Sequence, residues 1–336
     1  MSVPSLGDVA LHVGVSKMTV SRALRGEPHV SADVRGRILA ACEALGYRPD
    51  PEIGKLMAHM RRGRRSDSPP TLAFVWAEKT AQEIKESSWS MELIRGARQR
   101  AEKLGFHLDE FYLAGKGMTA ARLSEILEAR GIPGFILSPL VSRSRAQVKM
   151  KWERFCSVVV GLGFARPALH RVHHHHFHGM MTAMQMLKKQ GHQRIGFFCG
   201  SIINERMFGA WSSAFLAHHP LPLAQAEALL CLRREPTLKQ FSEWLEAARP
   251  EMVIDGGQLL PTLLKGAPLP LKIGQATLAW AATDNRAGID QEADVLGAAA
   301  LELLVEQYHH NERGLPANPK IVMTAGQWRE AAKCLP

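Results

Sequence analysis

The sequence predicts an N-terminal all-α helix-turn-helix domain followed by an α/β core of two lobes. Three observations lead there. Residues 5–46 carry three short helical patterns with tight joins. From Thr71 onward strand patterns alternate with helical ones. The stretch 71–336 is too long for one sheet of this kind, so two lobes are expected.

The helical patterns rest on local chemistry. Ser5 precedes an apolar run and Asp8 follows three later, the spacing of a capping box. Val9, Ala10 and Val13 give one apolar face, and Gly14 permits a sharp turn. Ser16 is placed to cap a second helix with Val20, Ala23 and Leu24 inward. Gly26, Pro28 and Ser31 break and restart the pattern. Val34, Ile38, Ala41 and Leu45 then recur at helical spacing up to Gly46. The second helix keeps Lys17, Met18, Thr19, Ser21 and Arg22 on its outer side. These side chains suit the major groove of DNA: Arg and Lys read guanine, and Met offers an apolar contact to a thymine methyl. A small bundle with solvated charges is the alternative.

Ser5-Leu6-Gly7-Asp8-Val9-Ala10 with Gly14-Val15-Ser16-Lys17-Met18-Thr19-Val20-Ser21-Arg22 resembles the start of the LacI/GalR (lactose-repressor/galactose-repressor) family. The resemblance continues through His29-Val30-Ser31, Val34-Arg35 and Leu45-Gly46-Tyr47-Arg48-Pro49, and is dense up to Met60. The candidate DNA contacts are Leu6, Ser16, Lys17, Met18, Thr19, Ser21, Arg22, His29, Ser31 and Leu56. Leu56 enters through the hinge segment at 49–60. Asp50 and Pro51 there have the chemistry of a helix start, but the segment is too short to hold a helix alone. The resemblance implies a hinge helix ordered on operator DNA, with Leu56 wedged into the minor groove. Gly54 weakens helix tendency by about 1 kcal/mol. A floppy basic linker with an incidental Leu is the other reading.

Charge follows the same division. Residues 1–65 hold 11 Lys and Arg against 6 Asp and Glu, half of the chain's net charge of +10. That fifth of the length is expected to face phosphate. Arg61-Arg62-Gly63-Arg64-Arg65 is its densest cluster, and Pro69-Pro70 closes a basic linker at 61–70. The five cysteines (Cys42, Cys156, Cys199, Cys231 and Cys334) are scattered without a Cys-x-x-Cys pair, as expected of reduced thiols. No apolar run suits a signal peptide or a membrane span. A cytoplasmic protein without membrane contact is expected, and no cofactor.

In the core, Thr71–Trp76, Leu108–Leu113, Gly134–Leu137, Val158–Val160, Arg194–Phe198 and Met252–Ile254 read as strands. Met91, Ile94, Ala97, Ala101 and Leu104 mark a helix face. Further helices are expected at Ala120–Arg130, Met180–Lys189, Arg206–Ala217 and Ala293–Gln307, the last with Leu296, Ala300, Leu303 and Leu304 inward. Such βα repetition predicts parallel sheets covered on both faces.

Gly191-His192-Gln193-Arg194-Ile195-Gly196 and Arg206-Met207-Phe208-Gly209 resemble elements of the periplasmic-binding-protein-like core of the same family. The resemblance implies two Rossmann-like lobes with an effector in the cleft between them, contacted by Arg206. A structural ion pair is the other role for that arginine. Where the family often has Asp-Asn-x-x-Gly-Gly, this chain has His175-His176-Phe177-His178-Gly179-Met180. Gly274-Gln275-Ala276-Thr277 and Gly257-Gln258 replace two further acidic motifs. Carboxylates that grip sugar hydroxyls are thus missing at these positions. Trp76, Trp89 and Trp280 could wall a pocket, since aromatic faces stack on sugars.

His170, His173, His174, His175, His176 and His178 lie within nine residues. They invite a metal-responsive reading, but adjacent histidines on a strand point to alternate faces and cannot all converge. A loop at the cleft mouth, with His175 or His176 touching the effector, is the preferred expectation. The effector candidates are therefore Trp76, His175, His176, Arg206 and Trp280. A core with enzyme activity is a further alternative. The sequence carries no Gly-x-Ser-x-Gly elbow, P-loop or Gly-x-Gly-x-x-Gly to support it, and a regulator without enzyme activity is expected.

The resulting reading is a sequence-specific transcriptional regulator, a repressor by the family's default. A homodimer is expected on pseudo-palindromic operator DNA, controlled by a small-molecule effector, with a sugar or sugar derivative among the candidates. The expected divisions are a helix-turn-helix at 1–48, the hinge helix at 49–60, the basic linker at 61–70 and the effector-binding and dimerisation core at 71–336.

Overall fold

The computed structural model describes residues 4–24, 30–47, 69–115, 117–140, 149–163, 166–264 and 273–331. The hinge segment with Leu56, the Arg61–Arg65 cluster, His29 and Cys334 lie outside the described residues. The chain divides into two compact units: residues 1–69 with 306–312, and residues 70–305 with 313–336.

The first unit holds three helices, α1 (Leu6–Val13), α2 (Lys17–Leu24) and α3 (Ala32–Leu45). Their inner faces bury Val9, Ala10, Val13, Val20, Ala23, Ile38 and Ala41 together, with Leu24, Val34 and Leu45 half-buried around them. The spacing of apolar residues had set these faces.

The second unit contains two sheets. In chain order its first part runs β1 (Thr71–Trp76), α4 (Ala81–Lys85), α5 (Ser88–Lys103), β2 (His107–Tyr112), α6 (Ala120–Ala129), β3 (Gly134–Leu137), a short 3-10 turn, β4 (Cys156–Val160) and β5 (His170–His174). There follow α7 (His176–Lys189), β6 (Ile195–Gly200), α8 (Ser201–Arg206), α9 (Ala210–His218), α10 (Leu223–Ala228), β7 (Leu230–Arg233), α11 (Leu238–Ala248), β8 (Met252–Gly256), α12 (Leu259–Leu264), β9 (Gly274–Thr277) and β10 (Ala287–Asp290). The chain ends in α13 (Ala293–His310), β11 (Ile321–Thr324) and β12 (Gln327–Arg329).

The first lobe's sheet has the order β11-β5-β4-β3-β1-β2, and every pairing is parallel. The second lobe's sheet has the order β12-β10-β9-β8-β6-β7, parallel except for β12 against β10. Strands enclosed by helices on both faces read as continuous apolar runs; Phe197, Phe198, Val253 and Ile254 are fully buried. The chain passes between the lobes three times, at His174–His176, at Asp290–Ala293 and at Thr324–Gln327.

In the first lobe α5 and α13 cross with their backbones in contact. A Cβ on Gly96 would run into the Asp294 carbonyl, and one on Gly297 into the Leu93 carbonyl. Leu296, Ala300, Leu303 and Leu304 of α13 are buried, as their spacing implied. Met91 is not: it is 45% exposed, and Leu93 and Ile94 take the inward positions of α5.

Three expectations need correction. The helix expected over Arg206–Ala217 is two helices, because the chain turns at Phe208 and Gly209, both with positive φ. The helix expected to begin at Met180 begins at His176, since the His175 ring accepts from the His178 amide and caps it. The histidine-rich stretch is therefore not a loop at a cleft mouth: it is strand β5, a cap, and the first turn of α7.

Candidate functional site

The first unit presents a helix-turn-helix built by its caps. Ser5 Oγ accepts from the Asp8 amide, and the Asp8 carboxylate accepts from the Ser5 amide at 2.6 Å. These bonds from Ser5 hold the Asp8 carboxyl below its ordinary value. Gly14, at φ 76°, ends α1 in the left-handed region that its missing Cβ makes accessible. Ser16 Oγ accepts from the Thr19 amide at 3.1 Å and starts α2; Ser31 does the same for α3.

These caps fix what α2 displays. Val20 and Ala23 face inward, so Lys17, Met18 and Arg22 are exposed while Thr19 and Ser21 are half-buried. Met18 is 60% exposed, a free apolar group beside two cations. Leu6 packs half-buried against the core at the start of α1. Ser16 and Ser31 are exposed at helix starts, with their hydroxyls used as caps.

In the second unit a cavity of about 610 Å³ opens between the lobes. The first lobe lines it with Glu86, Ser88 and Trp89 at the start of α5. The second lobe contributes Gln258, Trp280, Thr283, Asp284, Asn285 and Arg286. Of the effector candidates only Trp280 lines it; its buried Nε1 has no hydrogen-bond partner among the described residues, and Arg329 lies over its ring at 5.7 Å.

The other candidates lie elsewhere. Trp76 does not wall the cavity: it is 1% exposed in the first lobe's core and donates from Nε1 to Glu110 at 2.8 Å. His175 caps α7 and His176 is buried edge-on to Trp211, so neither lines the cavity. Arg206 ends α8 and lies with its Cδ near Gly163 of the first lobe. Burial disfavours its charged form, which the nearby Glu78 favours.

An arginine that sequence reasoning missed organises the cavity wall. Arg286 donates from Nη1 to Asp255 at 2.9 Å, from Nε to Asp284 at 2.9 Å, and from Nη2 to both Asp284 and Gln258 at 2.7 Å. Burial opposes ionisation of Asp284, but the bonds from Arg286 and Gln258 outweigh it and hold the carboxyl below its ordinary value. Burial pushes the fully enclosed Asp255 up. A carboxylate is therefore present at the cleft, supplied by Asp284 rather than by the replaced motifs, while its fellow partner of Arg286, Asp255, is fully buried. The available signal was Asp255 itself, an acid closing an apolar strand, which calls for a buried partner.

One guanidinium held by two carboxylates is not a receptor for an anion. What the wall offers a ligand is two indoles, the exposed carboxylate of Glu86 and the uncharged polar groups of Ser88, Thr283 and Asn285. The metal-responsive alternative finds no support: among the described residues no group of three or more His, Cys, Asp or Glu could hold a metal ion. Nor, among them, is any helix long and apolar enough to cross a membrane.

Residues 5–50 match the profile described as bacterial regulatory proteins, lacI family. The transcriptional regulator GntR of Escherichia coli K12 is 57% identical over 52 residues, 15% of this chain and 16% of that protein. The repressor CytR of the same strain is 29% identical over 198 residues, 58% of this chain and 53% of CytR. Both alignments thus span less than two thirds of the relative. A lac repressor dimer solved with operator and the anti-inducer ONPF has the same fold at a TM-score of 0.55 and 17% identity, covering 98% of each chain. Residues 5–50 thus carry the lacI-family helix-turn-helix, and the core has the two-lobed, parallel-sheet fold of the lac repressor.

Proposed function

We propose that the chain is a sequence-specific DNA-binding transcriptional regulator, a repressor by default, whose operator affinity is set by a small molecule held between the core lobes. The observation that carries this reading is α2: one face packs in the helical core while Lys17, Met18 and Arg22 stand exposed on the other. Major-groove readers are built this way, and one such helix reads too few bases alone, so a homodimer on a pseudo-palindrome is the working form. The proposed DNA contacts are Leu6, Ser16, Lys17, Met18, Thr19, Ser21, Arg22, His29, Ser31 and Leu56.

The proposed divisions are 1–48, 49–60 and 61–70 ahead of a core at 71–336, in a cytoplasmic protein without enzyme activity. Effector binding reorients the lobes and shifts operator affinity; such coupling is commonly worth about 1–3 kcal/mol. The effector class is a neutral, hydroxyl-bearing molecule with an apolar face, sugars included. Trp89 and Trp280 supply aromatic faces, and Arg286 is already occupied by carboxylates.

Selection of the purified protein against a randomised duplex library at fixed salt tests the reading. Recovery of one two-fold pseudo-palindrome is the expected result. Equal retention of all sequences would mean binding through phosphate alone and would remove the regulator assignment.

A further inference from the structure

Three segments join the two lobes, and they meet on one imidazole. His174 ends β5 at the first crossing and is 3% exposed. Gly326, on the third crossing, lies against one edge of its ring. A Cβ there would sit 2.7 Å from Cε1 of His174 and 2.6 Å from the Asp290 carbonyl, which opens the second crossing. Gly179 of α7 lies against another edge, where a Cβ would sit 2.6 Å from Nε2. The His175 amide donates to the Thr324 carbonyl at 2.9 Å and ties the first crossing to the third. His176, 7% exposed, stands edge-on to His174 with ring centres 5.2 Å apart.

On balance the surroundings of these two rings oppose a proton. Nδ1 of His174 and Nδ1 of His176 are buried without a hydrogen-bond partner among the described residues. The titratable groups acting on His174 are His173, His175 and His178, and the Thr324 carbonyl opposes them by favouring the charged ring. Arg206 acts on His176, together with His173, His174 and His175. The third crossing offers Thr324 and Gly326, neither ionisable, and α9 presents Trp211. The second crossing brings two carboxylates, Asp290, which Arg329 holds at 2.9 Å, and Glu292. Burial, and then these like charges, take His174 down to about 4 and His176 to about 2 from an ordinary 6.5.

We propose that the interlobe hinge is a proton-sensitive latch: the lobes keep this arrangement while His174 and His176 are uncharged, and protonation releases it. An imidazolium clasped between Gly179 and Gly326 has no carboxylate partner among the described residues. Solvent reaches it only if the third crossing moves away. A released imidazole titrates near 6.5, so one pH unit lower each ring favours the released arrangement about tenfold, and the pair about a hundredfold. The latch does not depend on which effector or operator the protein uses.

The test is energy transfer between dyes on the full chain, one replacing exposed Lys103 on the first lobe and one replacing exposed Lys239 on the second. Between about pH 7.5 and 5.5 the transfer efficiency should change while helix content, followed by circular dichroism, stays constant. The variant His174→Asn/His176→Gln should lose that change. An unchanged efficiency in the parent chain, or the same change in the variant, overturns the proposal. If the double variant does not fold, Gly326→Ala decides: crowding His174 should move the release to higher pH, and an unmoved midpoint overturns the latch.

Discussion

Arg286 places Nη1 2.9 Å from the carboxylate of Asp255, which is fully buried. The same guanidinium grips Asp284 at the edge of the interlobe cavity, so one side chain ties a strand end to the cavity wall. Asp255 also accepts from the amides of Leu259 and Leu260 and so starts α12.

Arg286→Met is expected to destabilise the protein by about 3–5 kcal/mol, because it strands a buried carboxylate. Arg286→Met/Asp255→Leu should recover much of that loss. Urea unfolding of the two variants checks this, and equal losses in both would show that the pair is not coupled.

Gly96→Ala tests the helix crossing. In a free helix alanine is favoured by about 1 kcal/mol. Here the added Cβ meets the Asp294 carbonyl, a backbone atom that cannot rotate aside. A net loss of about 1–3 kcal/mol is expected from overpacking, read as a lowered thermal midpoint. A raised midpoint would mean that the crossing is looser than described.

Arg22→Ala should weaken operator binding by about 1–3 kcal/mol and relax base preference. Binding isotherms on the selected operator and on single-base variants measure both effects. A uniform loss across all sequences would make Arg22 a phosphate contact. Leu56→Ala should reduce DNA bending more than affinity for non-specific DNA; unchanged bending would remove the wedge assigned by resemblance.

Acid should weaken the fold in a window set by the buried imidazoles. His174 and His176 are held at about 4 and about 2, while an unfolded imidazole takes its proton near 6.5. Above that value neither state is charged and stability is complete. As pH falls below it, the unfolded chain binds protons that the folded chain refuses, so stability drops. The slope approaches about 1.4 kcal/mol per pH unit for each histidine. Denaturant midpoints across pH should show it, and His174→Asn should remove one group's share; an unaltered slope would place the lost protons elsewhere.

The sequence by itself determined the local structure. Ser5 with Asp8, Ser16, Ser31, Gly14 and Gly46 set the starts and stops of three helices, because caps act within one turn of the chain. Apolar spacing likewise set the inner faces and the strand runs, since burial follows helical and strand periods. The histidine stretch was legible as a cluster but not as a hinge, because its surroundings come from residues far along the chain.

Only the tertiary structure decided the cleft and the hinge. Asp255, Gln258, Asp284 and Arg286 belong to separate segments, and no spacing rule links a strand end to a later loop. Trp76 and Trp280 carry the same indole; one is buried in a sheet and one lines the cavity, because strand order placed them so. His174, Gly179 and Gly326 meet only after three crossings bring the lobes together. Local propensity acts over a few residues, whereas a site between lobes is made by contacts that folding alone assembles.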